Sequence, residues 1–97
     1  MTYRYLTPAL LEATEAAEYY ETQVFGLGAD FLDELDAAIQ RIIDFPKAWG
    51  IISGDCRHCS LHRFPYTVIY EEESPEEILI VSVFHQHREP LSWKRNL

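Results

Sequence analysis

Apolar and polar positions divide this chain into two regimes. From residue 8 to residue 45 the apolar side chains recur at three- and four-residue steps, the period of a helix. Leu10, Ala13, Ala17, Tyr20 and Val24 form one stripe, with Glu12, Glu15 and Glu18 largely off it. Phe31, Leu35, Ala38, Ile42 and Phe45 form a second, widened by Leu32, Ile39 and Ile43. Thr7-Pro8 reads as the start of the first helix, a hydroxyl cap followed by a proline at the first helical position, where its missing N–H costs nothing. Gly26-Leu27-Gly28 breaks that helix, Asp30 sits near the cap of the next, and Pro46 ends the second. Two helices joined at glycines predict a hairpin that covers one face of a sheet.

From residue 51 the period shortens to two. Gly50 and Gly54-Asp55 punctuate the change, and strands are expected over residues 57–64, 66–72 and 78–85. Ile78, Ile80, Ser82 and Phe84 are expected on one face of the last strand and Leu79, Val81 and Val83 on the other. A strand apolar on both faces belongs in the middle of a sheet. Pro65 marks a corner because it cannot donate to a ladder. The run Glu72-Glu73-Ser74-Pro75-Glu76-Glu77 is a polar turn between two apolar strands. Residues 3–6 add a short first strand, at an edge or beside the last one. Pro90-Leu91-Ser92-Trp93 suits a short helical turn with Trp93 packed back on the sheet. The expected fold is α+β: an N-terminal strand, a two-helix hairpin on an antiparallel sheet of about four strands, and a short C-terminal helical turn.

Ninety-seven residues make one domain, 1–97, with one modest core. The hydrophobic share of 47% excludes a disordered chain. Neither a signal peptide nor a membrane span is legible, so a cytoplasmic protein is expected. The net charge of −8 is unevenly spread. Residues 1–45 carry nine acids against Arg4 and Arg41. Residues 46–97 carry seven acids against six bases, and five of those acids flank one turn. The remaining C-terminal surface is locally basic through Arg57, Arg63, Arg88, Lys94 and Arg95. A spot that small argues against broad or sequence-specific nucleic-acid binding and leaves a protein target open.

The order strand, Phe64-Pro65-Tyr66 corner, strand, acidic turn, strand, then His85-x-x-Arg88-x-Pro90-x-x-Trp93 resembles the RelE/ParE superfamily of toxin–antitoxin toxins. The ParE-like plasmid-stabilisation members are the nearer match. Tyr19-Tyr20, Phe31, Leu35, Phe45-Pro46 and Arg57 extend the resemblance over nearly the whole chain. It implies a bacterial or archaeal type II toxin involved in stress response, held inactive by a cognate antitoxin. DNA gyrase is the implied target if the chain is ParE-like. The alternatives are a RelE-like, ribosome-dependent mRNA endoribonuclease, or a decayed, non-toxic member that serves as a binding module.

Metal-free ribonuclease chemistry needs an acid, a base and several cations around a phosphate. Arg57, Arg63, His85 and Arg88 are the catalytic candidates if they converge. RelE-like toxins resemble one another in using lysine and arginine, often with a C-terminal tyrosine or histidine. Here no tyrosine follows Tyr70 and the only lysines are Lys47 and Lys94, so the resemblance favours the non-nuclease reading. Arg57 and Arg63 could equally be tied up in ion pairs with the acidic helices. Arg57, Arg63, Arg88, Trp93, Tyr19 and Tyr20 are the candidate contacts with target or antitoxin. Only one of the two consecutive tyrosines can be core. The acidic face of Glu12, Glu15, Glu18, Glu21, Asp33 and Glu34 is either a solvated surface or a seat for a basic antitoxin segment.

Cys56-Arg57-His58-Cys59 with His62 has the look of a metal motif. Two cysteines three apart on a strand face opposite ways, however, so neither a metal nor a cofactor is expected. His85-x-His87 is divided between structural support and target contact.

Overall fold

The computed structural model describes all 97 residues. Strand β1 (Thr2–Tyr5) leads into helices α1 (Thr7–Gln23) and α2 (Leu27–Asp44). Strands β2 (Ile51–Ser53), β3 (Cys56–Ser60), β4 (Tyr66–Ser74) and β5 (Glu77–His85) follow, and a 3-10 turn, η1 (Ser92–Asn96), closes the chain. The sheet runs β1-β5-β4-β3-β2. β2 to β5 are antiparallel, whereas β1 pairs parallel with β5. The expected order of elements is therefore present, and β1 is both an edge and the neighbour of the last strand. The sheet is mixed and gains one short strand, β2, whose three residues are too few to show an alternation.

Details depart from the sequence reading for local reasons. Thr7 is the first helical residue and Leu6 precedes it in extended conformation, so no hydroxyl caps α1. Gly26, at φ 85°, begins α2, and Asp30 lies in its first turn. β3 stops at Ser60, because residues 61–65 turn the chain into the Phe-Pro-Tyr corner.

Helix α1 is rotated by one residue from the expected stripe. Ala9, Ala13 and Ala16 are buried, while Leu10 and Val24 are more than half exposed. Alanines let the helix lie close on the sheet, and Glu12 is drawn toward β5. On α2 the expected face holds from Phe31 through Ile42, but Leu32 and Phe45 are exposed.

One bulge controls the last strand. Tyr70 stands opposite Ile80 and Ile69 opposite Ser82, leaving Val81 as an extra residue. Beyond it the alternation reverses. Ile78, Ile80 and Val83 join the core under the helices, whereas Leu79, Val81 and Phe84 face the other side with Cys56, Ile69 and Trp93. The expected pairing of Ile80 with Phe84 on one face thus fails at Val81, since a single inserted residue flips every side chain after it.

The hairpin is fastened beside its turn. A Cβ on Gly28 would lie 2.6 Å from the Ala17 carbonyl oxygen, whereas one on Gly26 meets nothing within 4 Å. Gly28→Ala is therefore expected to destabilise the fold by about 2–3 kcal/mol through backbone displacement. Gly26→Ala should cost about 1 kcal/mol from its left-handed conformation alone. Urea unfolding of the two variants measures the difference.

Candidate functional site

The four cationic candidates are held by different parts of the fold. Arg57, on β3, stands opposite Tyr70 of β4. Its Nη1 donates to the carbonyl oxygens of Trp49 at 2.7 Å and Lys47 at 3.3 Å. The Tyr70 hydroxyl donates to the Pro46 carbonyl at 2.6 Å, and burial pushes this phenol up to about 12. Arg57 and Tyr70 together bind the 45–50 loop to the sheet.

Arg63 lies after β3. Its backbone N–H donates to Glu34 Oε1 at 3.0 Å, and its Nη2 is 3.7 Å from Asp30 Oδ2. Its guanidinium also stands 5.5 Å from the centre of the Phe64 ring. Arg63 is thus the ion-pair partner of an acidic helix, as its alternative reading held.

His85 and Arg88 do share a space, a cavity of about 170 Å³ whose other lining includes Glu12, Glu15, Tyr19 and Tyr66. His85 stands opposite Tyr66, and Tyr66 and Tyr70 are four residues apart on β4. About 13 Å of strand therefore separates the His85 end from Arg57. Arg57 and the His85 pair sit at opposite ends of the same sheet face, with Val68 and the helix-covered core between them. The four candidates do not converge.

Glu12 organises the cavity. Its Oε1 accepts three hydrogen bonds, from the Ser82 hydroxyl at 2.9 Å, the Val83 N–H at 3.1 Å and Asn96 Nδ2 at 3.1 Å. Asn96 Nδ2 also donates to the Val81 carbonyl at 3.0 Å. One carboxylate oxygen thereby joins α1, the β5 bulge and the C-terminal turn. Sequence reasoning placed Glu12 on the solvated face. The available signal was Ser82, a polar residue inside an otherwise apolar strand and in need of a partner.

The chemistry of the cavity suits a phosphate poorly. Two carboxylates, Glu12 and Glu15, share it with one arginine and one histidine. His85 Nδ1 accepts the His87 N–H at 3.0 Å, and its ring stacks edge-on against Tyr66 and His87 at 4.9 and 5.1 Å. Burial lowers the His85 pKa from its ordinary 6.5, and His87 and Arg88 lower it further. Lys47 is paired with Glu72 at 3.1 Å, toward the end of β4 remote from this cavity.

The remaining candidates separate by burial. Tyr19 is 58% exposed, whereas Tyr20 packs edge-on or stacked against Phe31, Phe64 and Tyr66. Trp93 is only 2% exposed, packed with Cys56, Ile69, Leu79 and Val81 on the sheet face away from the helices. The indole anchors η1 and leaves almost no surface for the target or antitoxin contact expected of it. Cys56 belongs to that second cluster and Cys59 to the main core, so the two thiols face opposite sides of the sheet. Burial raises the pKa of both.

Two outcomes follow from this geometry. Glu12→Ala should cost about 2–4 kcal/mol in urea unfolding, because three donors lose a charged acceptor at once, and Glu12→Gln should cost less. His85 takes up a proton less readily folded than unfolded. Its contribution to stability is therefore complete above the ordinary value of 6.5 and is lost as pH falls from there through the folded value. Thermal unfolding of the wild type should lose more on going from about pH 7.5 to about pH 5 than that of His85→Gln.

Comparison with known proteins agrees with this architecture. The family model described as "ParE toxin of type II toxin-antitoxin system, parDE" matches residues 3–90. No curated protein sequence matches. Among solved structures, a chain from the chromosomal ParDE toxin–antitoxin system of P. aeruginosa superposes with a TM-score of 0.63 at 15% identity. That match covers 88% of this chain and 95% of the other. At that identity the likeness is one of fold, and it coincides with the family assignment made from sequence. With the strand–hairpin–sheet order and the Phe-Pro-Tyr corner in place, this chain belongs to the ParE toxin family of type II toxin–antitoxin systems.

Proposed function

We propose that this ParE-family toxin arrests growth by a non-catalytic grip on DNA gyrase in the cytoplasm and is silenced by a cognate antitoxin. The observation that carries the reading is the dispersal of Arg57, Arg63, His85 and Arg88. Arg57 is engaged by loop carbonyls and Arg63 by Asp30, while His85 and Arg88 stand beside Glu12 and Glu15. Metal-free cleavage of a phosphodiester requires cations gathered where charge develops on the phosphate oxygens. Here the nearest such pair is offset by two carboxylates. A protein grip makes no such demand, since it draws on shape and exposed anchors.

Candidate antitoxin contacts follow from exposure. Tyr19 is an exposed aromatic on α1, amid Glu15, Glu18 and Glu21, and Arg88 lies at the rim of the same cavity. A segment carrying both basic and apolar side chains suits this surface. If it folds as it binds, apolar anchors must supply most of the affinity. No helix of the chain is long and apolar enough to cross a membrane.

Inducible expression in a bacterial host, with and without the adjacent open reading frame, tests the proposal. Growth arrest with linearised plasmid DNA and intact transcripts is expected, relieved by the neighbouring product. His85→Ala should still arrest growth, because the proposed mechanism uses no general base. Cleaved transcripts, together with inactivity of His85→Ala, would transfer the function to an endoribonuclease. A harmless wild type would leave only a binding module.

A further inference from the structure

The turn between α1 and α2 holds the most exposed large apolar side chain of the molecule. Phe25 is 97% exposed and its neighbour Val24 is 59% exposed. Neither rides on a loose loop. The Glu21 carboxylate accepts the N–H groups of Gly26 and Gly28, each at 3.0 Å. Val24 N–H donates to the Tyr20 carbonyl at 3.1 Å and Leu27 N–H to the Val24 carbonyl at 3.0 Å. Gly28 lies against the backbone of Ala17, closing the two helices on each other. The apolar pair is thus displayed on a turn whose geometry is fixed on both sides. An aromatic with few rotatable bonds on a fixed backbone loses little freedom on binding.

The surroundings specify the partner. Residues 5–40 contain eight acids and no lysine, arginine or histidine, and Arg63 pairs with Asp30, in the first turn of α2, at 3.7 Å. A projecting ring needs a concave receptor. A segment that folds as it binds supplies side chains to grooves and does not offer a preformed socket, whereas a folded protein does.

We propose that the hairpin tip, Phe25 flanked by Val24, is the contact through which this toxin engages its target, a folded protein with an apolar socket bordered by basic groups. This inference rests on the toxin reading above and assigns the tip to the target, not to the antitoxin.

Wild type, Phe25→Ser and Phe25→Leu, expressed alone and with the product of the adjacent reading frame, provide the test. Growth, thermal unfolding and co-purification are the readouts. Phe25→Ser should lose growth arrest while keeping the wild-type unfolding midpoint and its co-purifying neighbour, and Phe25→Leu should restore arrest. Arrest by Phe25→Ser equal to that of an arresting wild type overturns the tip assignment and leaves the toxin reading standing. Loss of co-purification in Phe25→Ser also overturns it, because the tip would then belong to the antitoxin surface. A lowered unfolding midpoint overturns it as well, by making Phe25 structural. A wild type that does not arrest growth ends both readings, and the wild-type arm alone reveals this.

Discussion

A single carboxylate oxygen ties together parts of this molecule that the sheet alone would leave separate. Oε1 of Glu12 takes donors from Ser82, Val83 and Asn96, which belong to the bulged strand β5 and to the C-terminal turn. The bulge at Val81 brings both Ser82 and Val83 toward α1. A buried hydroxyl there needs an acceptor, and a charged acceptor serves several donors better than a neutral one. Asn96 extends the same junction around the sheet edge, which brings Trp93 down on the far face. That docking carries costs of its own. The indole N–H of Trp93 is buried without a partner, and Leu91 adopts a left-handed backbone at φ 69°. Each costs about 1–3 kcal/mol. Burial of the Trp93 ring against Cys56, Ile69, Leu79 and Val81, together with the Asn96 bonds, holds the turn in spite of them.

The same carboxylate sets the character of the neighbouring cavity. His85 and Arg88 are there, but so are Glu12 and Glu15, and the first of these is fixed by three donors and cannot swing away. Elsewhere the cations act as structural ties. Arg57 satisfies carbonyls that would otherwise be stranded in the loop after α2, and Arg63 fastens the β3–β4 connection to the N-terminal turns of α2. An arginine holding one backbone carbonyl at 2.7 Å and a second at 3.3 Å is not free to follow a phosphate through a reaction. Arg57 and Arg63 are thus committed to holding the fold, and Arg88 is left at the rim of the cavity beside the two carboxylates.

Element types were legible because they depend on period. The helices, the acidic turn and the apolar β5 are written in side-chain spacing, and their order carried the family resemblance. The opposite faces of Cys56 and Cys59 were legible for the same reason. What could not be read were events of one residue. Nothing in Leu79-Ile80-Val81-Ser82 announces a bulge, since every residue but the last is apolar, so the reversal of Val83 and Phe84 was invisible. On α1, leucines outweigh alanines in any hydrophobic count. The close approach of helix to sheet nevertheless favours Ala9, Ala13 and Ala16, and it turns Leu10 outward. Convergence of Arg57 with His85 depended on strand register, and the four-residue offset between their β4 partners is fixed by pairing that no single sequence displays.

Rigidity is distributed in a way that fits recognition by shape. The aromatic group of Tyr20, Phe31, Phe64 and Tyr66 joins both helices to the Phe-Pro-Tyr corner, with ring centres 4.8–6.2 Å apart. Glu21 closes the turn above it, and Gly28 removes the gap between the helices below. The hairpin is therefore clamped along its length to the sheet, and its far end cannot relax to cover Phe25. Hiding that ring would require breaking the hydrogen bonds that the Gly26 and Gly28 N–H groups donate to Glu21. An apolar side chain can stand in water when the backbone beneath it is fixed by contacts that do not include it, and then it is available to whatever surface fits over it.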